Sequence, residues 1–121
     1  MKNIFYILFV TIITLCSCSK TSKQDIDADI IIFTQQGCSH CEKAVDFINN
    51  DLLVKNPSLR VTQIDISYDM ENIKILKHYL EKYKFHKSTV GTPIIIFNDK
   101  LVMGWGIENK VGLKKAFYPK L

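Results

Sequence analysis

Ile30-Ile31-Ile32-Phe33-Thr34-Gln35-Gln36-Gly37-Cys38-Ser39-His40-Cys41 is the stretch on which the reading of this chain turns. A short, unbroken apolar run bounded by turn residues reads as a strand buried on both faces, the habit of a central strand in a parallel sheet. After the turn, Cys41, Ala44, Val45, Ile48 and Leu52 recur at helical spacing. That helix must end before Pro57, because the residue preceding a proline avoids helical geometry. Cys38 therefore stands at a helix N-terminus, where unpaired N–H groups and partial positive charge favour a thiolate over a thiol.

Working outward, the 121 residues leave room for one domain. A composition of 47% hydrophobic and 23% charged residues is that of a globular protein, with part of the apolar excess in the first fifteen residues. The formal net charge is +4. The basic residues are scattered, and the loose group Lys82, Lys84 and Lys87 reads as a solvated face, so no nucleic-acid partner is expected.

Ile4 to Leu15 is an apolar run of roughly twelve residues behind Lys2, whereas a membrane-spanning helix needs about twenty. A basic start, a short apolar stretch and small residues after it describe a secretory leader over residues 1–18. Leu15-Cys16-Ser17-Cys18 also resembles the bacterial lipoprotein signal, with Cys18 as the lipidated residue. Residues 19–28 are polar and read as a flexible tether, leaving 29–121 as the domain. Of the four cysteines, Cys16 and Cys18 belong to the leader and Cys38 and Cys41 to the domain. Two thiols are too few for a disulfide-stapled scaffold.

Beyond the first strand and helix, Val61–Ile66 alternates as a second strand. Ser67 and Asp69 are candidate N-caps for a second helix marked by Ile73, Leu76, Leu80 and Tyr83. Phe85–Gly91 reads as a loop and Ile94–Phe97 as a third strand. Asn98-Asp99 is a hairpin turn leading to a fourth strand over Leu101–Trp105. Val111, Leu113, Ala116 and Phe117 then mark a closing helix, Glu108–Tyr118, stopped by Pro119.

A C-x-x-C pair is open to three readings: half of a zinc site, a structural disulfide, or a redox couple. Zinc wants four ligands at recognisable spacing, and His40, His78 and His86 supply no second paired motif. A disulfide across two residues closes too small a loop to remove much unfolded-state entropy. The order strand, C-x-x-C, helix, strand, helix, Thr-Pro, hairpin, helix resembles the thioredoxin fold in its minimal, glutaredoxin-like form. The motifs that carry the resemblance are Cys38-Ser39-His40-Cys41 and Gly91-Thr92-Pro93.

The resemblance implies an α/β domain with a four-stranded mixed sheet in the order β2-β1-β3-β4, flanked by three helices. It implies catalytic roles for Cys38 and Cys41, tuning by Ser39 and His40, and a substrate groove at Gly91, Thr92 and a cis Pro93. No cofactor beyond the cysteine pair and no resident metal are implied. The sequence departs from the family at Gly37, where thioredoxins carry Trp, at Ile32, where they carry a buried Asp, and at Gln35, where glutaredoxins carry a glutathione-holding Lys. Trp105 is expected in the core rather than in the groove.

The expectation drawn from this is an exported, monomeric thiol–disulfide oxidoreductase of the bacterial envelope, anchored by lipid at Cys18. It would act on protein disulfides and be reset by a membrane electron-transfer partner. Reductase or isomerase action is favoured over net oxidation, since the inserted helical region of the dedicated oxidase is missing. The alternatives are a Cu(I) carrier using the same cysteines with Met103 nearby, since thiolates select soft ions, and a glutathione-linked glutaredoxin.

Overall fold

The computed structural model describes residues 25–86 and 89–120. The leader, Cys18 and Lys87 lie outside the described residues. Nine-residue helix Ser39–Phe47 follows strand β1, Ile30–Thr34. It widens into a π-helical stretch, Ile48–Leu52, and closes on a last α turn, Leu53–Lys55; the three together are called α1. Strand β2 (Val61–Asp65), helix α2 (Met70–Lys82), strands β3 (Ile94–Phe97) and β4 (Lys100–Met103) and helix α3 (Ile107–Phe117) complete the chain.

The sheet order is β2-β1-β3-β4, as the resemblance implied. β1 runs parallel to β2, with Ile30 opposite Val61 and Thr34 opposite Asp65, and antiparallel to β3, with Ile32 opposite Ile95. β3 and β4 form a hairpin across Asn98 and Asp99, whose φ angles of 47° and 56° are the left-handed pair that a tight hairpin turn requires.

The pleat sorts the apolar run into two cores. Ile30 and Ile32 of β1 and Ile95 and Phe97 of β3 point to one face, where they meet Ala44, Phe47, Ile48 and Leu52 of α1 and Leu113 of α3. Ile31, Phe33, Ile94 and Ile96 point to the other, where they meet Leu76 and Tyr79 of α2. Burying each such Ile or Phe contributes about 1.5–3 kcal/mol, so the isoleucine-rich centre fixes where the strand ends, and therefore where Cys38 sits.

Four expectations are corrected here. β4 stops at Met103 rather than Trp105, because Gly104 turns the chain at φ +84°. Asp69 alone caps α2, accepting from the N–H groups of Glu71 (2.9 Å) and Asn72 (3.3 Å), while Ser67 takes another task described below. The buried face of α2 is Leu76 and Tyr79, with Ile73 only half-buried. Val111 is 54% exposed, because Leu113, Ala116 and Phe117 make the packed stripe of α3 and Val111 lies off it.

The end of the stretch read as tether is docked. Ile26 and Ala28 pack against the α2-side core, and the Ile26 N–H donates to the Tyr79 hydroxyl at 2.7 Å. Asp25 binds both His78 and Lys82.

Candidate redox site

Everything at the C-terminal end of β1 serves to hold one sulfur in place. The turn Gln35–Cys38 closes with the Cys38 N–H donating to the Gln35 carbonyl at 3.3 Å. Gly37 occupies its third position at φ +72°, where a type II turn favours glycine. The Gln36 N–H donates to Ser67 Oγ at 2.7 Å, and the Ser67 N–H donates to Asp65 at 2.7 Å, so the loop after β2 buttresses the cysteine turn. Hydrogen bonding by the Ser67 hydroxyl, and then by its backbone N–H, holds the Asp65 carboxyl below its ordinary range. This is the work that displaces Ser67 from helix capping.

Cys38 is the N-cap of α1, with extended backbone angles (φ −89°, ψ 101°). Its sulfur accepts from the Cys41 N–H at 3.1 Å, as an N-cap side chain does. Cys38 and Cys41 are joined as a disulfide, with Cα atoms 5.2 Å apart. The two are not equivalent. Cys41 is 3% exposed, whereas Cys38 is part-exposed at the surface. One helical turn separates a reachable sulfur from a hidden one.

On one side of Cys38 stands the loop before β3. The Thr92–Pro93 peptide is cis, and Pro93 is fully buried. The Thr92 hydroxyl lies 3.4 Å from Cys38 Sγ and can donate to it, and the Thr92 carbonyl oxygen lies 3.5 Å from the same sulfur. Gly91 is exposed, and its N–H donates to Met103 Sδ at 3.1 Å. The structure thus brings Thr92, more than fifty residues away in sequence and joined by a cis peptide to Pro93, against Cys38.

Ser39 and His40 occupy the exposed first turn of α1, and His40 makes no hydrogen bond or ion pair among the described residues. Ile32, where thioredoxins carry an Asp, is 1% exposed and belongs to the core beneath α1. Trp105 sits at the rim of the α1–α3 core, its ring 5.4 Å from that of Phe47. No group of three or more His, Cys, Asp or Glu side chains placed to hold a metal occurs among the described residues.

On the other side of Cys38 an open cleft of about 510 Å³ runs between the end of β1, α1 and β2. Cys38, Cys41, Glu42, Asp46 and Asp65 are among the residues that line it. Sequence reasoning missed this cleft. It depends on which face of α1 meets which edge of the sheet, and on the π-helical stretch that adds Asn49 and Asn50 to its wall.

Sheet order, helix placement and the cysteine pair at the start of α1 define a thioredoxin fold of the glutaredoxin type. Among solved structures the chain is similar to a glutaredoxin from Archaeoglobus fulgidus, with a TM-score of 0.52 over 74% of this chain and 86% of that one. The sequence identity is 17%, so the likeness is one of fold. No family model matches the chain, and no curated protein does.

Proposed function

We propose that the chain is a thiol–disulfide oxidoreductase that acts on disulfides of other proteins. The observation that carries the reading is the asymmetry of the pair: a part-exposed Cys38 at a helix N-terminus, bonded to a buried Cys41 and flanked by Thr92 and Pro93.

In the reduced protein the Cys38 thiolate attacks one sulfur of a substrate disulfide. The substrate S–S bond breaks, a Cys38–substrate disulfide forms, and the departing substrate thiolate takes a proton from water. Negative charge on Cys38 is stabilised by the Cys41 N–H, by the Thr92 hydroxyl and by the helix N-terminus. Cys41 then loses its proton and attacks Cys38 Sγ. The second substrate sulfur leaves as a thiol, and the Cys38–Cys41 disulfide seen here is regenerated. Two electrons pass from the pair to the substrate, and an external dithiol must return them.

Ser39 and His40, exposed in the turn that follows Cys38, are proposed to tune this balance: an imidazole close to the thiolate stabilises the reduced form. Gly91, Thr92 and Pro93 are proposed as the wall along which an extended substrate lies. Reductase or isomerase action is preferred to net oxidation. Export to a bacterial envelope, a lipid anchor at Cys18, a membrane electron-transfer partner and a monomeric state complete the proposal, and these rest on the sequence alone.

The test is turbidimetric. With dithiothreitol as reductant, the full chain accelerates the reduction of insulin disulfides, and Cys38→Ser abolishes the acceleration. A Cys38→Ser protein as active as the parent overturns the assignment.

A further inference from the structure

Thr92 presents two groups to Cys38 Sγ with opposite effects on a thiolate. Its hydroxyl, at 3.4 Å, can donate, whereas its carbonyl oxygen, at 3.5 Å, can only accept. A donor beside the sulfur favours negative charge there, and an acceptor disfavours it. The balance therefore turns on how the segment carrying Thr92 is oriented. Burial fixes that segment only from Pro93 onward, since Val90 and Gly91 are exposed.

The contacts that fix it come from the end of β4. The Gly91 N–H donates to Met103 Sδ at 3.1 Å, and the Gly104 N–H donates to the Pro93 carbonyl at 2.7 Å. These bonds fall on the residues just before and just after Thr92, so the segment is gripped on either side of the residue that meets the sulfur. Met103 is half-buried and packs at the margin of the α2-side core, which holds its Sδ in place as an acceptor. The gripping residues are held in turn from α3. The Asn109 side-chain amide donates to the Gly104 carbonyl at 2.8 Å and to the Met103 carbonyl at 3.3 Å. It thereby ties α3 to the bend, with Gly104 at φ +84°, from which both bonds to the loop are made.

From this relay we infer that Met103 and Asn109 are positioning residues of the exchange site: through Gly91 and the Met103–Gly104 bend they hold the Thr92 hydroxyl on Cys38 Sγ. The inference rests on the exchange reading given above and adds to it two side chains that set the reactivity of the attacking sulfur. Both act through Thr92. Loosening either lets the hydroxyl drift from the sulfur, so the thiolate loses a donor and the thiol form gains.

The test reads the pH dependence of iodoacetamide alkylation in the reduced full chain, followed at Cys38 by fragment-ion mass mapping. Met103→Leu keeps the bulk and apolar character of the side chain, which a packed site tolerates, and removes the acceptor. Asn109→Ala removes the donor amide. Thr92→Val removes the hydroxyl itself and is expected to move the alkylation midpoint up by about one pH unit, the worth of one hydrogen bond to a charged group. Met103→Leu and Asn109→Ala are each expected to move it the same way by a smaller amount. Neither is expected to move it further in the Thr92→Val background, because changes that act through one contact do not add. Midpoints that coincide with the parent's in both variants, or that move as far in the Thr92→Val background as in the parent, overturn the inference; insulin reduction by the parent then leaves the exchange reading standing. A parent chain that reduces insulin no faster than dithiothreitol alone overturns the exchange reading, and the inference with it.

Discussion

At the edge of the sheet where β1 and β2 begin, acids are matched by bases: Arg60 holds Asp27 at 2.8 Å and Asp29 at 3.2 Å. Asp25 is held by His78 and Lys82 at the end of α2, and Asp51 by Lys55 at the end of α1. At the edge where the same strands end, Glu42, Asp46 and Asp65 line the cleft beside the part-exposed Cys38, and no Lys, Arg or His lines it with them. The ion pair of that region, Lys74–Glu71, is spent within the first turns of α2. The contrast separates architecture from availability. Matched charges at one edge fasten the N-terminal segment to the domain. At the other, Asp46 and Asp65 take hydrogen bonds from Asn50 and Ser67 instead, and Glu42 stands exposed. Burial differs as well, since Tyr79 inside the fastened end is covered while Tyr68, in the loop after β2, is bare.

The sharpest way to break the comparison is at the fastened end. Tyr79 is buried, and burial holds its phenol above the ordinary range. Replacing it by phenylalanine keeps the ring and removes the acceptor of the Ile26 N–H. Tyr79→Phe is expected to lose about 1 kcal/mol in urea unfolding, to speed proteolysis at residues 25–28, and to leave insulin reduction unchanged. A fall in exchange rate without a fall in stability would show that the two ends are coupled.

A smaller effect comes from pH. Hydrogen bonds from Lys82 and His78 hold the Asp25 carboxyl below its ordinary range. The Arg60 backbone N–H and guanidinium do so for Asp29, and Lys55 and Tyr118 for Asp51. A carboxyl whose folded value lies below its unfolded one contributes stability that is complete above about pH 4 and disappears as pH falls through the folded value. The thermal midpoint is therefore expected to hold steady from neutrality to about pH 4 and to decline below it. A midpoint that rises on acidification contradicts the assignment of these pairs as fastenings.

The fold was legible because its decisive signals are local. Four apolar residues in a row can only be a covered strand here, Cys38 precedes a 3.6-residue periodicity, and Asn98-Asp99 announces a hairpin whose left-handed backbone those residues tolerate. What escaped is set by tertiary geometry. Tyr79 reads as amphipathic, yet its spacing from Leu76 and Tyr83 puts it on the covered face. The polar stretch ahead of β1 gave no periodicity, so its docking through Asp25 and Ile26 had no sequence signal. Gly104 falls inside the run that reads as the fourth strand, and only its positive φ ends the strand before it. At the site, both cysteines and Thr92-Pro93 were readable as motifs. The acidic cleft was not, because Glu42, Asp46 and Asp65 converge only when α1 lies across β1 and β2.

The most direct measurement is a trapping experiment on Cys41→Ser. With the buried partner gone, the reduced variant should attack a substrate disulfide and stop, so that the substrate remains attached to Cys38 and is found there by peptide mass mapping until dithiothreitol releases it. Cys38→Ser, left with only the covered sulfur, should hold none. Stable attachment to Cys41 in Cys38→Ser, with none to Cys38 in Cys41→Ser, would reverse the roles assigned to the two sulfurs and contradict the account.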